Sequence, residues 1–462
     1  MQSENGLFWI PVPKHLAQGM NHTEFIWTHQ MLGYIEQGMI KQSGRIVQGL
    51  LNGLLHRNDD ISAIKLRTMT DMVERNGTAF LRQLEIEADE ILLSHGWDPT
   101  TGKPTENAEL LPGLSAFDTA SYGLEDDPLV DLERQYTINW AIDQVNKTRD
   151  PVFQIPEGSE KPFLIEPNPA KTVAICLDGV QAKRQKDERP KEKAQEPIYT
   201  QDSLDGPAAY ARGNEPKKRP KVETVTAHVS YEGMKYVLMA ENMFQLCKLV
   251  LAFLLSHELL VGRQLLVFSD GGRDIKYAIE NIFDFCPHTI VLDWFHLKKH
   301  VNELMSLSFY GGKKNKEFRS QISRSVFEFL WVGNTEAAQQ YLQSLAADQN
   351  KPIIKDREWF DELVDYLGRK DYAIACYAVR KRLSLPLSSN PVEKVNDLVV
   401  ATRQKHQGMS WSRTGSWGLA AITIMYMNHE NESWHHKRKI GYGMYEKYGQ
   451  VYAVDDTDQE AA

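Results

Sequence analysis

Gln264-Leu265-Leu266-Val267-Phe268-Ser269-Asp270-Gly271 is the stretch that decides how this chain is read. Its run of apolar residues is too short for a helix and includes residues that favour strands, and Ser-Asp-Gly is a turn signal. A buried strand ending on a carboxylate is therefore expected. Working outward, Asp274 to Phe285 has the spacing of an amphipathic helix, and Thr289 to Leu292 is a strand running into Asp293-Trp294-Phe295-His296. Upstream, Glu241 to Val261 reads as a long apolar helix, and Val222 to Ser230 and Tyr236 to Ala240 read as strands around a Glu232-Gly233 turn. Thr172 to Leu177 is a further short strand, ending in Asp178-Gly179. The order β-β-β-α-β-α-β predicts an α/β domain with one mixed sheet.

Composition narrows the class. The 462 residues are 42% hydrophobic, enough for a large core and more than one domain. Cys176, Cys247, Cys286 and Cys376 are far apart and form no CxxC pair, which argues against a zinc ribbon or a disulfide scaffold and for reduced thiols inside a cell. Met1 to Pro13 lacks the pattern of a secretory signal. Phe244 to Val261 is interrupted by Lys248, His257 and Glu258, so a buried helix is expected there rather than a membrane span. The net charge of −9 does not favour nucleic acid, but phosphate binding depends on local charge. From Arg369 to Arg413 there are nine basic residues against three acidic ones, and the stretch surrounds Glu393.

The flanking regions are plainer. Residues 24–96 carry helical periodicity, with Leu32, Ile35, Met39, Ile46 and Leu50 on one face and a second pattern from Ile61 to Leu93. Another helix is expected over Leu129 to Asn146, after a turn-rich stretch from Trp97 to Asp127. Five prolines between Pro151 and Pro169 suggest a linker. A polar segment from Gln181 to Lys221 reads as a hairpin insertion or a DNA-contacting loop, and Leu297 to Leu383 is helical throughout. Asp455 to Glu460 is an acidic tail.

The chemistry lies at the strand ends. Asp178 and Asp270 each follow an apolar strand and precede a glycine, which lets the backbone turn and a ligand approach. Two carboxylates on neighbouring strands suit Mg²⁺, which prefers oxygen ligands and keeps several waters. A third acid stands in Ser388-Ser389-Asn390-Pro391-Val392-Glu393-Lys394-Val395-Asn396, where Pro391 suits a first helical turn capped by Asn390. Asp293 competes with Asp270 as the second acid. His296 is either a core histidine or a neighbour of the acids, and Trp294, Phe295 and Trp411 are either core aromatics or surfaces for an unpaired base.

Four stretches together resemble bacterial insertion-sequence transposases of the DDE superfamily, and more distantly Mutator-like and hAT transposases. They are Leu177-Asp178-Gly179-Val180, Phe268-Ser269-Asp270-Gly271, Asp293-Trp294-Phe295-His296, and Asn390-Pro391-Val392-Glu393 with its continuation Gly408-Met409-Ser410-Trp411. The resemblance covers roughly residues 171–427. It implies an RNase H-like mixed sheet with an inserted helical subdomain, preceded by a mainly helical N-terminal domain. The expected division is 1–150 for that domain (DNA-end binding or dimerisation), 151–170 for a linker, 171–296 for the first part of the core, 297–387 for the insertion, 388–430 for the final helices, and 431–462 for a C-terminal tail. Asp178, Asp270 and Glu393 match the catalytic, metal-binding triad, with Mg²⁺ as cofactor and Mn²⁺ as substitute. The resemblance prefers Asp270 over Asp293, leaving Asp293 and His296 to orient DNA or a metal-bound water. Lys394, Arg403, Lys405, Trp411 and Arg413 are then expected to contact DNA. The implied activity is cleavage at element ends and strand transfer into double-stranded target DNA, by a homo-oligomer in the bacterial cytoplasm, associated with the nucleoid and not with a membrane. The alternatives are an RNase H-like nuclease without strand transfer, or a domesticated DNA-binding protein.

Overall fold

The computed structural model describes residues 29–54, 64–105, 128–161, 172–185, 220–260, 263–286, 288–312, 315–347, 353–406 and 409–449. Most of the Gln181–Lys221 segment, Gly408 and the acidic tail lie outside these residues.

Five strands form one mixed sheet: β1 (Thr172–Lys183), β2 (Lys221–Tyr231), β3 (Met234–Ala240), β4 (Gln264–Ser269) and β5 (His288–Leu292). Their order is β3-β2-β1-β4-β5. The first three pair antiparallel, whereas β4 lies parallel to β1 and β5 parallel to β4. The expected α/β class and strand succession are therefore present. In β1, Val173, Ile175 and Leu177 are buried and so is Cys176 on the opposite alternation, so both sheet faces are covered.

The helices are α1 (His29–Lys41), α2 (Gly44–Leu54), α3 (Leu66–Ser94), α4 (Pro128–Asn146), α5 (Met243–Ser256), α6 (Arg273–Ile282), α7 (Trp294–Ser308), α8 (Lys316–Trp331), α9 (Thr335–Ala347), α10 (Arg357–Lys370), α11 (Tyr377–Arg382), α12 (Asn390–Asn396), α13 (Arg413–Met427) and α14 (Asn431–Lys437). α12 runs directly into a π-helical stretch, Asp397–Lys405. Among the described residues no helix is long and apolar enough to cross a membrane.

The helices before residue 150 pack in two places. Ile35, Met39, Val73, Phe80, Leu84 and Leu92 of α1 and α3 belong to the same buried cluster as the sheet. α3 packs on α13 and α5. Inside that packing Glu36 is fully buried, accepting from Asn76 (2.5 Å), Tyr426 (3.0 Å) and bonding His435 (3.0 Å). α4 goes elsewhere. Ala141 and Val145, with Ile155 just beyond the helix, share a second cluster with Val332, Cys376 and Val379, and Arg149 pairs with Glu328 at 2.6 Å. As far as the described residues reach, the start of the proline-rich stretch is thus tied to α8 and α11. Residues 431–449 also pack on the core. Trp434 is buried, and Asn428 bonds both the N–H and the carbonyl of Val237, occupying edge positions of β3.

α3 and α13 cross where glycine faces glycine. A Cβ on Gly77 would run into the carbonyl of Gly418, and one on Gly418 would lie 2.9 Å from the Cα of Glu74. Gly77→Ala should therefore destabilise the protein by about 1–3 kcal/mol through overpacking. Gly53→Ala, on α2 with nothing within 4 Å, serves as a control and should be neutral or slightly stabilising. Thermal melts of the two variants check this; equal melting temperatures would show that the crossing is loose.

Candidate functional site

β1 is longer than expected. On the β2 side its ladder continues through Asp178↔Thr226 and Gly179↔Val225 to Lys183, while on the β4 side it stops at Cys176↔Phe268. Asp178 therefore sits inside a strand, not in a turn. It projects where pairing with β4 has ended. Asp270 lies two residues beyond Phe268, as Asp178 lies two beyond Cys176, so the alternation puts both side chains on one face of adjacent parallel strands. Gly271 does take the left-handed conformation, at φ +87°, and a Cβ there would lie 2.8 Å from Leu292. Gly179 shows no such requirement.

Asp293 follows β5 one residue past the Ser269↔Leu292 pair, next in line beside Asp270. It is fully buried and both oxygens are engaged. Oδ1 accepts from the His296 N–H (2.8 Å) and caps α7, while Oδ2 accepts from the Ser389 N–H (2.6 Å) and hydroxyl (3.0 Å). Where the sequence reading has it orient DNA or a metal-bound water, the structure shows it joining the start of α7 to the start of α12. The same junction is held by Trp294 N–H to Leu387 (3.1 Å), Tyr377 hydroxyl to Leu292 (2.8 Å) and Arg380 to Pro386 (2.8 Å).

That junction delivers Glu393. Ser389 precedes α12, one position before the Asn390 cap expected, and Pro391 lies in the first turn. Glu393 Oε1 meets His296 Nε2 at 2.9 Å. One turn later Asn396 donates to Asp178 Oδ2 (2.8 Å) and accepts from the Thr226 hydroxyl (2.6 Å). Glu393 and Asn396, three apart, share a helix face. Asn396 has no role in the sequence reading; its spacing after an acid is the signal that finds it.

The electrostatics follow. Burial pushes the Asp178 carboxyl above its ordinary range and the charge of Asp270 adds to this, against the bonds from Gly179 and Asn396 and the His296 charge. For His296, burial acts downward, but the Glu393 bond and the charges of Asp293 and Asp270 outweigh it and raise the pKa. Asp178, Asp270 and Glu393 offer the hard oxygen donors that suit Mg²⁺ or Mn²⁺. Among the described residues, no three His, Cys, Asp or Glu side chains already converge on one point.

The expected DNA contacts divide. Lys394, Lys405 and Arg413 are exposed. Arg403 is buried at 2% exposure, donating to the Met39 carbonyl (3.1 Å) with its guanidinium 5.1 Å from the Trp411 ring centre. It pins α1 to the π-helical stretch and is not free to grip phosphate. Trp411 is half-buried, exchanging backbone bonds with Lys183 and Gln185 at the end of β1. Trp294 packs on Trp331 and Tyr377, whereas Phe295, beside His296, is 59% exposed.

Two measurements follow. Asp293→Asn sets an amide N–H against one of the donors that bond the carboxylate, and should cost about 1–3 kcal/mol of stability. Asp270→Asn behaves differently in the metal-free protein. The folded-state pKa of Asp178 is raised, so its ionisation costs nothing below the usual value of about 3.9 and costs stability as pH rises through the folded value. The raised His296 likewise stabilises below about 6.5 and loses that contribution as pH rises through its folded value. Asp270 disfavours ionised Asp178 and favours protonated His296, so the melting temperature of Asp270→Asn in EDTA should gain on wild type between pH 4 and 8. A difference that stays flat with pH would show that these groups do not interact.

Compared with protein-family models, curated proteins and solved structures, the chain matches none, so the site is interpreted from its own geometry and chemistry.

Proposed function

We propose that this chain is a DNA transposase of the Asp–Asp–Glu type, built on an RNase H-like core, that cuts DNA at element ends and joins the freed end to target DNA. The observation that carries the proposal is the register of Asp178 and Asp270 on adjacent parallel strands, with the Glu393 helix fastened to Asp178 through Asn396. Three antiparallel strands followed by two parallel ones support the RNase H-like reading. The four sequence stretches that resemble these transposases support it too: the first two supply Asp178 and Asp270, the third His296, and the fourth Glu393 with Trp411 bonded to the end of β1.

Asp178 and Asp270 would hold divalent cations, with Glu393 completing the set; the Asp178 carboxyl, raised by burial and further by the charge of Asp270, fits a site where a cation offsets both. When bound, Mg²⁺ or Mn²⁺ supplies the positive charge that stabilises the attacking and leaving oxygens of a phosphodiester. The chain's own contribution is placement. Asn396 fixes the Asp178 carboxylate, and Asp293 fixes both helix starts. The Glu393–His296 pair holds a proton at Nε2 beside the acids. Lys394, Lys405 and Arg413 present positive charge to the DNA backbone, and Phe295 offers a face to an unpaired base. Water attack on one phosphodiester would leave a 3′-hydroxyl and a 5′-phosphate; in the joining step that hydroxyl would attack a target phosphodiester, forming the new P–O bond as the target strand's own 3′-oxygen leaves as a hydroxyl.

Asp178→Asn, Asp270→Asn or Glu393→Gln should each cut end cleavage in Mg²⁺ about a thousandfold, roughly 4 kcal/mol of transition-state stabilisation. Duplex affinity should stay within about twofold, because it rests on phosphate contacts. Full activity of Glu393→Gln overturns the triad, and cleavage with no strand-transfer product from paired ends reassigns the chain as a nuclease. Separately, Lys394→Ala with Lys405→Ala and Arg413→Ala should flatten the salt dependence of duplex binding by about 0.9 for each phosphate no longer neutralised. An unchanged slope in filter binding would remove these residues from the interface.

A further inference from the structure

An open cleft of about 490 Å³ lies beside Asp270, between α6 and α10. This is within the roughly 300–1,000 Å³ of small-ligand sites and too small for a duplex. Gly271 and Lys370 lie at its Asp270 end, with the Lys370 ammonium 2.5 Å from the Gly271 carbonyl. Its lining carries four basic side chains, Arg273, Lys276, Arg369 and Lys370, against the carboxylates Glu280 and Glu362. Both carboxylates are matched within the lining, Glu280 by Lys276 at 3.4 Å and Glu362 by Arg369 at 2.5 Å. The remaining positive charge, from Arg273 and Lys370, is concentrated at the end next to Asp270. The pKa of Lys370 is lowered by burial and by the charge of Arg273, a penalty that an anion in the cleft would relieve.

The aromatic lining is equally uneven. Tyr366 packs against His300 at 4.4 Å, and Lys276 covers the Tyr372 ring at 4.1 Å. Tyr277, on the same face of α6 as Arg273 and Lys276, is 67% exposed. A cationic end one residue from a candidate catalytic carboxylate, with an uncovered ring on the rim, matches the two parts of an unpaired nucleotide. We propose that this cleft holds an unpaired stretch of the DNA strand next to the reacting phosphodiester, with a phosphate at Arg273 and Lys370 and a base stacked on Tyr277. Duplex does not fit this chemistry, since a paired base offers no free face. The proposal deepens the transposase reading and rests on it for the identity of the substrate.

Fluorescence anisotropy in EDTA tests it, with a labelled oligothymidylate, a blunt duplex, and thymidine monophosphate as competitor. Tyr277→Ala should weaken oligothymidylate binding about tenfold and Tyr277→Phe should restore it, as expected for removal and recovery of one stacking platform. Arg273→Ala should lower the single-strand salt slope by about 0.7, one phosphate contact. Duplex binding should change by less than about twofold in each, because duplex affinity rests on phosphate contacts elsewhere. Unchanged oligothymidylate affinity in Tyr277→Ala and Arg273→Ala overturns the proposal, as does displacement of the oligonucleotide by the mononucleotide at equal nucleotide concentration, which would make the cleft a free-nucleotide site. Asp178→Asn separates this inference from its premise. If wild type cleaves DNA, Asp178→Asn does not, and the cleft variants still bind normally, only the cleft assignment falls. If the cleft variants lose strand binding while Asp178→Asn cleaves like wild type, the carboxylate assignment falls and the cleft stands.

Discussion

The buried carboxylate of Asp293 is the constraint on which the rest of the site depends. A fully buried charge is tolerated only when its oxygens are satisfied, and here three donors from two separate chain segments satisfy them. One segment is the start of α7, which carries His296; the other is the entry to α12, which carries Glu393. The chain between them runs through α8, α9 and α10 and returns by α11, whose Tyr377 and Arg380 also hold the junction.

Much of the core was legible from local pattern. The strands and the helices between them fall within a few residues of their expected positions, because buried strands and an apolar helix such as α5 carry strong periodic signals. The error in β1 has a clear cause. Asp178-Gly179 has the composition of a turn, but Thr226 and Val225 continue the ladder on one side, a pairing that local sequence does not contain. Local pattern alone leaves Asp270 and Asp293 level for a similar reason, and only the resemblance prefers Asp270. Both follow strands, and only the long-range bonds to Ser389 give Asp293 its different environment.

The basic stretch shows where counting charges misleads. Arg380 and Arg403 both contribute to its positive sum, yet both are buried against backbone carbonyls and aromatic rings. Arginine suits that role because its planar fork donates in several directions while its faces stack. Lys370 adds the converse case: in the sum it is one charge of a general basic face, but its ammonium reaches the carbonyl next to Asp270. Charge in the sequence therefore does not identify which side chains face outward.

Glu36 joins residues about 400 positions apart, through Tyr426 and His435. A bond of that span has a kinetic meaning as well as a structural one. Contacts so remote in the chain form late, because the loop-closure entropy must be met before they contribute. α1 and α3 are made before α13 and α14, so Glu36 can meet Asn76 early but Tyr426 and His435 only once those later helices are made. The packing of α1 against α3 is thus completed only when α13 and α14 close over it.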